Sequence, residues 1–296
     1  MNNQKHYFAA ILAFVIWGFF SIPLRALQQF SPGEILYFRI LFSAITLLLI
    51  IFLGRRKTVV ENWNILQAMP ARQKRTAILL TLAGGALLCV NWLTFIHIVN
   101  AINIKTASFS YFICPVITAV LGYVLINENL SRLQWISVGL CAVSCVFIGL
   151  GSALELGYSF LTALTYALYL ISQRKNQGFD RIIILGVQII FSFLILNVLY
   201  VYLVDTVPTA PKFYEVIVVI AIFFTVIPLF LNLFALNKIN SATIGILMYI
   251  NPILNFTIAF IVFDEHITML QAIGYGSIFV AVVLFNYTNL KKIRWA

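Results

Sequence analysis

Charged side chains are scarce in this chain of 296 residues: they make up 9% of it, whereas apolar residues make up 62%. In soluble domains about a quarter of the residues are charged. The shortage excludes a soluble globular fold, because too few polar side chains are available to cover the apolar surface. Lipid is therefore the predicted solvent for most of the chain.

A strict alternation of apolar and polar residues is also missing, which excludes a membrane-spanning barrel. Helices remain as the way to satisfy backbone hydrogen bonds without water. The sequence predicts an all-α integral membrane protein with ten spans, each close to the ~20 residues that cross a bilayer. The predicted spans are 7–24, 34–53, 77–97, 101–126, 133–151, 153–172, 182–204, 214–236, 240–263 and 270–287.

Motifs of enzymes and of metal sites are absent. The histidines are His6, His97 and His266, at the terminus or at span ends, and no HExxH, GxSxG or phosphate-binding loop occurs. No aspartate lies at membrane depth, so the usual carboxylate proton relay is not visible. We therefore predict neither an enzyme nor a cofactor or metal.

The four cysteines fall within predicted spans and lack metal-ligand spacing. Cys141 and Cys145 are four residues apart, so they share one helical face. This pattern favours a seam of small residues between packed helices over a redox pair.

The sequence contains an internal repeat. Positions 100–139 share eleven identities with the segment 137 residues later, and these include Pro115 with Pro252 and Glu128 with Glu265. Duplicated helical halves are a recurrent architecture of small-molecule transporters. The repeat predicts two similar halves, 1–151 and 152–296.

Each half holds five predicted spans. Because five is odd, the second half enters the membrane from the opposite side to the first. The predicted architecture is thus two inverted five-helix repeats related by a two-fold axis in the membrane plane.

The net charge is +10, and the positions of the Lys and Arg residues along the chain indicate which segments face the cytoplasm. With the N-terminus inside, fifteen of the 19 Lys and Arg residues fall in inner segments. Positive residues concentrate on the cytoplasmic side, so both termini are predicted to be cytoplasmic and a nucleic-acid partner is not expected. The long basic loop 54–76 is predicted to be either a short interfacial helix or a disordered linker.

Local signals mark two helix starts. Ser31-Pro32-Gly33-Glu34 has Ser as N-cap, Pro in the first turn and Glu three residues after the cap. Asp180 holds the corresponding place before the seventh span.

Arg39 is the most informative candidate side chain because it lies inside the second span. A guanidinium remains charged, and burial in the membrane costs at least ~2.5–3.5 kcal/mol at a mid-helix site. One interpretation is that Arg39 faces a cavity and holds an anionic group. The alternative is that it reaches the outer interface and pairs with Glu34.

Other polar and aromatic residues at membrane depth are candidates to line a central cavity. They are Trp17, Asn91, Trp92, Tyr111, Tyr166, Tyr169, Gln188, Tyr249, Asn251 and Asn255. For each of them, packing or an interhelical hydrogen bond is the alternative role.

Pro115 and Pro252 remove a backbone hydrogen bond inside their helices, so each predicts a kink. Matching kinks suit two gates that bend in mirrored fashion, whereas a purely structural kink is the alternative. Glu128 and Glu265, at mirrored span ends, are predicted to stabilise the helix-loop geometry or to contribute to gating.

As an ordered set, these residues resemble the EamA-type drug/metabolite transporter superfamily, and more closely its RarD-like branch. The segments that carry the resemblance are Trp17-Gly18-Phe19-Phe20, Glu34 with Arg39, Asn91-Trp92, Tyr111-Phe112 with Pro115, Glu128 to Trp135, Tyr166-Ala167, Arg174-Lys175, Pro228-Leu229, and Tyr249 with Pro252. One departure is Cys114 before Pro115, where the branch tends to have Asn, as Asn251 is before Pro252.

The resemblance implies secondary transport of a small organic metabolite or drug, often export, across a bacterial inner membrane. It also implies a central site surrounded by the first four helices of each repeat. The expected partners are a small-molecule substrate and the lipid bilayer, with a proton or counter-substrate as candidate coupling partner. A non-transporting membrane scaffold or sensor with the same fold is the rival from another class.

Overall fold

The computed structural model describes residues 4–101, 104–148, 153–254, 257 and 269–293, and within these ranges the chain is helical with no strand. The helices are α1 (Gln4–Gly18), α2 (Ser21–Arg25), α3 (Pro32–Gly54), α4 (Arg56–Ala68), α5 (Ala71–Ala101), α6 (Ile104–Ile126), α7 (Arg132–Ile148), α8 (Ala153–Lys175), α9 (Arg181–Val198), α10 (Tyr200–Leu203), α11 (Pro211–Ala221), α12 (Ile227–Leu236), α13 (Ser241–Leu247) and α14 (Met269–Ile293). A π-helical segment, Ile222–Val226, joins α11 to α12.

Each of the ten predicted spans overlaps one of these helices. In the described ranges six helical stretches are long and apolar enough to cross a membrane, and three further apolar helices are shorter. The shorter ones are Ser110–Ile126, Ser241–Leu254 and Gly276–Phe285. An all-helical membrane fold is therefore confirmed, whereas the count of ten crossings and the inverted orientation of the halves stay predictions.

Large apolar side chains cover much of the outer surface. Phe52 is 61% exposed, Leu53 77% and Val198 79%. In water such a surface would favour aggregation, whereas in a bilayer it contacts acyl chains at no cost.

The two predicted helix starts are confirmed. Ser31 Oγ accepts from the backbone N–H of Glu34 at 3.2 Å, and the Glu34 carboxylate accepts from the N–H of Ser31 at 3.1 Å. At α9, Asp180 Oδ1 accepts from the N–H groups of Ile182 and Ile183. Side-chain oxygens thus satisfy backbone donors that a helix start leaves free.

The basic loop contains a helix, α4, rather than a disordered linker. The N–H of Asp180 donates to Asn62 Oδ1 at 2.8 Å, and Arg55 Nη1 forms a 3.0 Å salt bridge with Asp180 Oδ2. These bonds fasten the loop to the start of α9. Val60 and Trp63 are exposed on α4, and its placement on the membrane surface stays a prediction.

The two halves of the chain interleave. Helix α1 packs on α12 and α8 packs on α5, while α3 packs on α9 and α6 on α13. If the two halves are interchanged, the contact of α1 with α12 becomes the contact of α8 with α5. The contacts of α3 with α9 and of α6 with α13 each join equivalent helices of the two halves. Neither half therefore forms a separate bundle, and the centre of the molecule is built from both.

Helices α7 and α14, the last of each half, pack against each other. Cys141 and Cys145 are buried free thiols in this seam, where they cluster with Ile278, Ala281 and Phe285. The small side chains let the helices approach closely, as expected of a packing seam.

Candidate functional site

The Arg39 guanidinium on α3 lies between two aromatic rings. Its Cζ is 5.8 Å from the ring centroid of Phe20 and 5.3 Å from that of Trp92. Both distances allow attraction between the cation and the negative face of the ring. Arg39, Phe20 and Trp92 are all half-buried as residues, whereas the Nε of Arg39 is fully buried.

No carboxylate neutralises Arg39 among the described residues. The alternative partner, Glu34, is engaged in the capping box of its own helix start. The fully buried Nε of Arg39 has no hydrogen-bond partner within the described ranges. A buried guanidinium that is left without an acceptor is costly, so its position favours an anion that arrives from elsewhere.

Trp17 links the site to the π-helical segment. Its indole N–H donates to the Phe224 carbonyl at 2.9 Å. In an α-helix that carbonyl would accept from residue 228, but Pro228 has no N–H. The proline therefore frees a carbonyl, and the tryptophan of the opposite half supplies a donor for it.

Replacement of Trp17 with phenylalanine should lower the free energy of unfolding by about 1–3 kcal/mol, because a buried carbonyl loses a donor. Thermal unfolding in detergent would measure the change. In the Trp17→Phe background, Pro228→Ala should recover part of the loss, since alanine restores an N–H beside the same carbonyl. Strictly additive effects of the two substitutions would contradict this account.

Three tyrosines of the predicted site, Tyr111, Tyr166 and Tyr169, form one connected row. Tyr111 interacts electrostatically with Arg39 and with Tyr166. The rings of Tyr166 and Tyr169 are 5.7 Å apart, and the ring of Trp17 is 6.5 Å from that of Tyr166. The structure therefore brings together six of the predicted site residues: Trp17, Arg39, Trp92, Tyr111, Tyr166 and Tyr169.

Gln188 lies in a buried amide pair. Its Nε2 donates to Gln173 Oε1 at 2.7 Å, and both side chains are fully buried. Gly84 makes room for this pair, since a Cβ there would lie 2.4 Å from each Nε2. The Oε1 of Gln188 has no partner among the described residues.

Asn91 forms an interhelical hydrogen bond, which is the alternative role considered for it. Its Nδ2 donates to the Thr162 carbonyl at 2.8 Å and lies 3.4 Å from Thr165 Oγ1. The residue is 1% exposed. Asn91 thus fastens α5 to α8, and its contact with a substrate stays a prediction.

Pro115 lies at the contact between α6 and α13, where a Cβ on Gly245 would be 3.4 Å from its Cα. Tyr249 Oη donates to the Phe112 carbonyl at 2.7 Å, three residues before Pro115. Helix α6 runs through Pro115 without a break, whereas α13 ends at Leu247 and helical structure resumes at residue 250, before Pro252. Asn251 is half-buried beside this break, and Asn255 lies outside the described residues.

Glu128 joins the end of α6 to the start of α13. Its carboxylate accepts from the N–H and hydroxyl of Ser241, each at 2.7 Å, and from the N–H of Ala242 at 3.1 Å. Arg174 Nε lies 3.7 Å away. Glu128 therefore caps a helix of the other half, and its repeat partner Glu265 lies outside the described residues.

Three side chains near this row are not among the site residues predicted from the sequence. Phe20 covers Arg39, Asn232 Nδ2 donates to Tyr166 Oη at 3.0 Å, and Arg181 interacts electrostatically with Tyr169. Arg181 is one of the fifteen cations predicted for the inner segments, and the charge pattern alone gives it no further role. A search of the described residues finds no group of His, Cys, Asp or Glu that could hold a metal ion.

Comparison with known proteins assigns the architecture to a family. Residues 4–150 and 154–287 match the EamA-like transporter family. An uncharacterized transporter of Vibrio cholerae is 30% identical over 98% of this chain and 94% of its own length, and the uncharacterized transporter YojE of Bacillus subtilis is 26% identical over 99% and 97%. The protein RarD of Escherichia coli is 26% identical over 93% and 92%.

A solved crystal structure has the same fold. It superposes with a TM-score of 0.76 at 12% sequence identity, over 95% of this chain and 96% of the other. At this identity the likeness concerns the fold alone.

Proposed function

Because the chain belongs to the EamA-like transporter family, we propose that it is a secondary transporter that exports a small organic anion by alternating access. The chain is a multi-pass membrane protein of a bacterial transporter family. We place it in the inner membrane with both termini in the cytoplasm, on the distribution of its Lys and Arg residues.

The observation that carries the proposal is the unneutralised charge of Arg39. Arg39 belongs to α3, which is long and apolar enough to cross a membrane, and its Nε lacks a partner among the described residues. A planar guanidinium binds a carboxylate or sulfonate through two parallel hydrogen bonds. An anionic group would therefore remove the electrostatic penalty of a guanidinium without a counter-charge.

The surroundings of Arg39 favour a substrate with an apolar or aromatic body. Phe20 and Trp92 flank the cation, and Tyr111 interacts with it. Ligand sites are typically apolar with a few placed polar groups, and aromatic rings provide contact area at a low cost in side-chain entropy. An aromatic carboxylate fits both the cation and the aromatic rings around it.

The contact between α6 and α13 supports the alternating-access part of the proposal. Pro115 lies within α6, and α13 is interrupted just before Pro252. These helices pack on one another, so a bend at either proline would alter the path on one side of the site. We propose that the two bends act as mirrored gates, with a proton or counter-substrate as the coupling partner.

A screen with matched probes tests the class of substrate. Purified protein would be assayed for thermal stabilisation by benzoate, phenylacetate, benzenesulfonate and hexanoate, with benzyl alcohol and benzyltrimethylammonium as neutral and cationic controls. Stabilisation by anions alone supports the proposal. Preference for the cation, or no stabilisation by any anion, would overturn the assignment of an anionic substrate.

Flux measurements separate transport from the rival role of a scaffold or sensor. Protein-containing liposomes should move the best-stabilising anion saturably, and faster than protein-free liposomes. A scaffold or sensor binds without moving solute. Saturable binding with no flux in either orientation would therefore favour the rival.

A further inference from the structure

Several buried polar atoms lack hydrogen-bond partners in the second half of the chain. Among the described residues they include Tyr169 Oη, Arg181 Nη2, Gln188 Oε1 and Asn232 Oδ1, and each of these side chains is at most 4% exposed. Nearly all buried polar atoms in proteins have a partner. Such a group of orphaned atoms indicates a position where water or a ligand completes the bonding.

Three of these residues, Asn232, Tyr169 and Arg181, continue the row of tyrosines that begins at Arg39. Asn232 donates to Tyr166 Oη at 3.0 Å, and the ring of Tyr166 is 5.7 Å from that of Tyr169. Tyr169 in turn interacts electrostatically with Arg181. One arginine thus stands at each end of a polar row through an otherwise apolar core.

Arg181 is held in place but not neutralised. Its Nε donates to Asn237 Oδ1 at 2.7 Å and its Nη1 donates to the Asn176 carbonyl at 2.9 Å, which leaves Nη2 without an acceptor. The neighbouring carboxylate of Asp180 caps the helix and pairs with Arg55.

Another cation, Arg174, acts electrostatically on Arg181, and the partner of Arg174 is Glu128. Within the described residues Arg174 has a carboxylate partner and Arg181 has none, which leaves an excess of positive charge around Nη2. Arg181 also begins α9, where the helix dipole favours an anion.

We propose that Tyr169 and Arg181 form a second binding position for the anionic group of the substrate, at the opposite end of the tyrosine row from Arg39. The substrate class is a carboxylate or sulfonate with an aromatic or apolar body, and this inference rests on the proposed function. Tyr169 Oη and Arg181 Nη2 donate to the anion there, and Asn232 Oδ1 accepts from water or from a hydroxyl of the substrate. During transport the anion passes between the two arginines.

Tyr169→Phe is the sharpest test, because it removes the orphaned hydroxyl and keeps the ring. A substitution of Arg181 would break two structural hydrogen bonds and is therefore less informative. Loss of a buried hydroxyl without a protein partner should leave the unfolding midpoint unchanged or raise it. Transport of the best anion of the panel should fall about tenfold, as loss of one hydrogen bond to a charged group implies.

Tyr166→Phe is the matched control. Its hydroxyl has a protein partner, Asn232, so its removal should lower the unfolding midpoint. Quenching of Trp17 and Trp92 fluorescence by the anion reports the Arg39 end of the row separately. Tyr169→Phe should keep this quenching, whereas Arg39→Ala should lose it.

The outcomes distinguish the inference from the proposed function. Wild-type transport by Tyr169→Phe overturns the second position while the function stands. A lower unfolding midpoint also overturns it, because the hydroxyl would then have a structural partner. If Arg39→Ala transports like the wild type, the proposed anchor itself is wrong.

Discussion

Replacing Arg39 with alanine is expected to reduce anion flux to the level of protein-free liposomes while the protein remains folded. The guanidinium is the one cation placed between Phe20 and Trp92, and its Nε has no partner in the described part of the chain. The substitution therefore removes the anion's counter-charge without breaking a salt bridge. A buried charge without a counterion is costly to the fold, so its removal should not lower stability.

Two substitutions sharpen this measurement. Arg39→Lys keeps the charge but loses the planar fork and the stacking between rings, so it should retain binding that is at least about tenfold weaker. Lys212→Ala removes an exposed cation from the start of α11 and should transport normally. Flux, unfolding midpoint and gel-filtration profile would be measured for all three. Wild-type flux from folded Arg39→Ala would remove Arg39 from the mechanism.

The helices themselves are predictable from the sequence because lipid leaves the backbone few choices. Apolar runs near the length of a bilayer must be helical. The start of α3 is also predictable, because Ser31 and Glu34 have the spacing of a capping box, in which each side chain accepts a hydrogen bond from the other residue's N–H. The π-helical segment was not predicted, although Pro228 marks the place where the α-helical bonding pattern has to change.

The site is only partly predictable, because its members come from both halves. Arg39 was identified, since a charge at membrane depth demands a reason. Its covering ring, Phe20, has no signal of its own among 26 phenylalanines. Asn91 and Arg181 show the same limit. The sequence indicates that a buried polar group needs a hydrogen-bond partner, but the identity of that partner depends on packing between distant segments.

Glu128 was predicted to stabilise the helix-loop geometry, and its contacts extend further than the local loop. Asn127 adopts a left-handed conformation with φ of 54° just after α6 ends, and the N–H of Glu128 then donates to the Gly122 carbonyl at 3.0 Å. This turn directs the carboxylate toward the start of α13. Gly122 is needed beside it, because a Cβ there would lie 2.7 Å from Glu128 Oε2.

Glu128→Ala is therefore expected to lower the free energy of unfolding by about 2–4 kcal/mol, because three donors at the start of α13 and Arg174 lose their acceptor. Glu128→Gln keeps the shape and one carbonyl oxygen, so it should lose less. Glu61→Ala removes an exposed carboxylate from α4 and is the control for charge. Denaturant titration in detergent would measure all three.

The same substitution tests whether this cap also acts as a gate. Glu128 connects α6 of the first half to α13 and Arg174 of the second, so its loss frees the two halves to separate at this end. A cysteine placed at Ser241 would report the separation through its rate of modification by a membrane-impermeant maleimide. We expect Glu128→Ala to raise that rate at a temperature where the protein is still folded. An unchanged rate together with reduced stability would assign Glu128 a purely structural role and leave the bends at Pro115 and Pro252 as the moving parts.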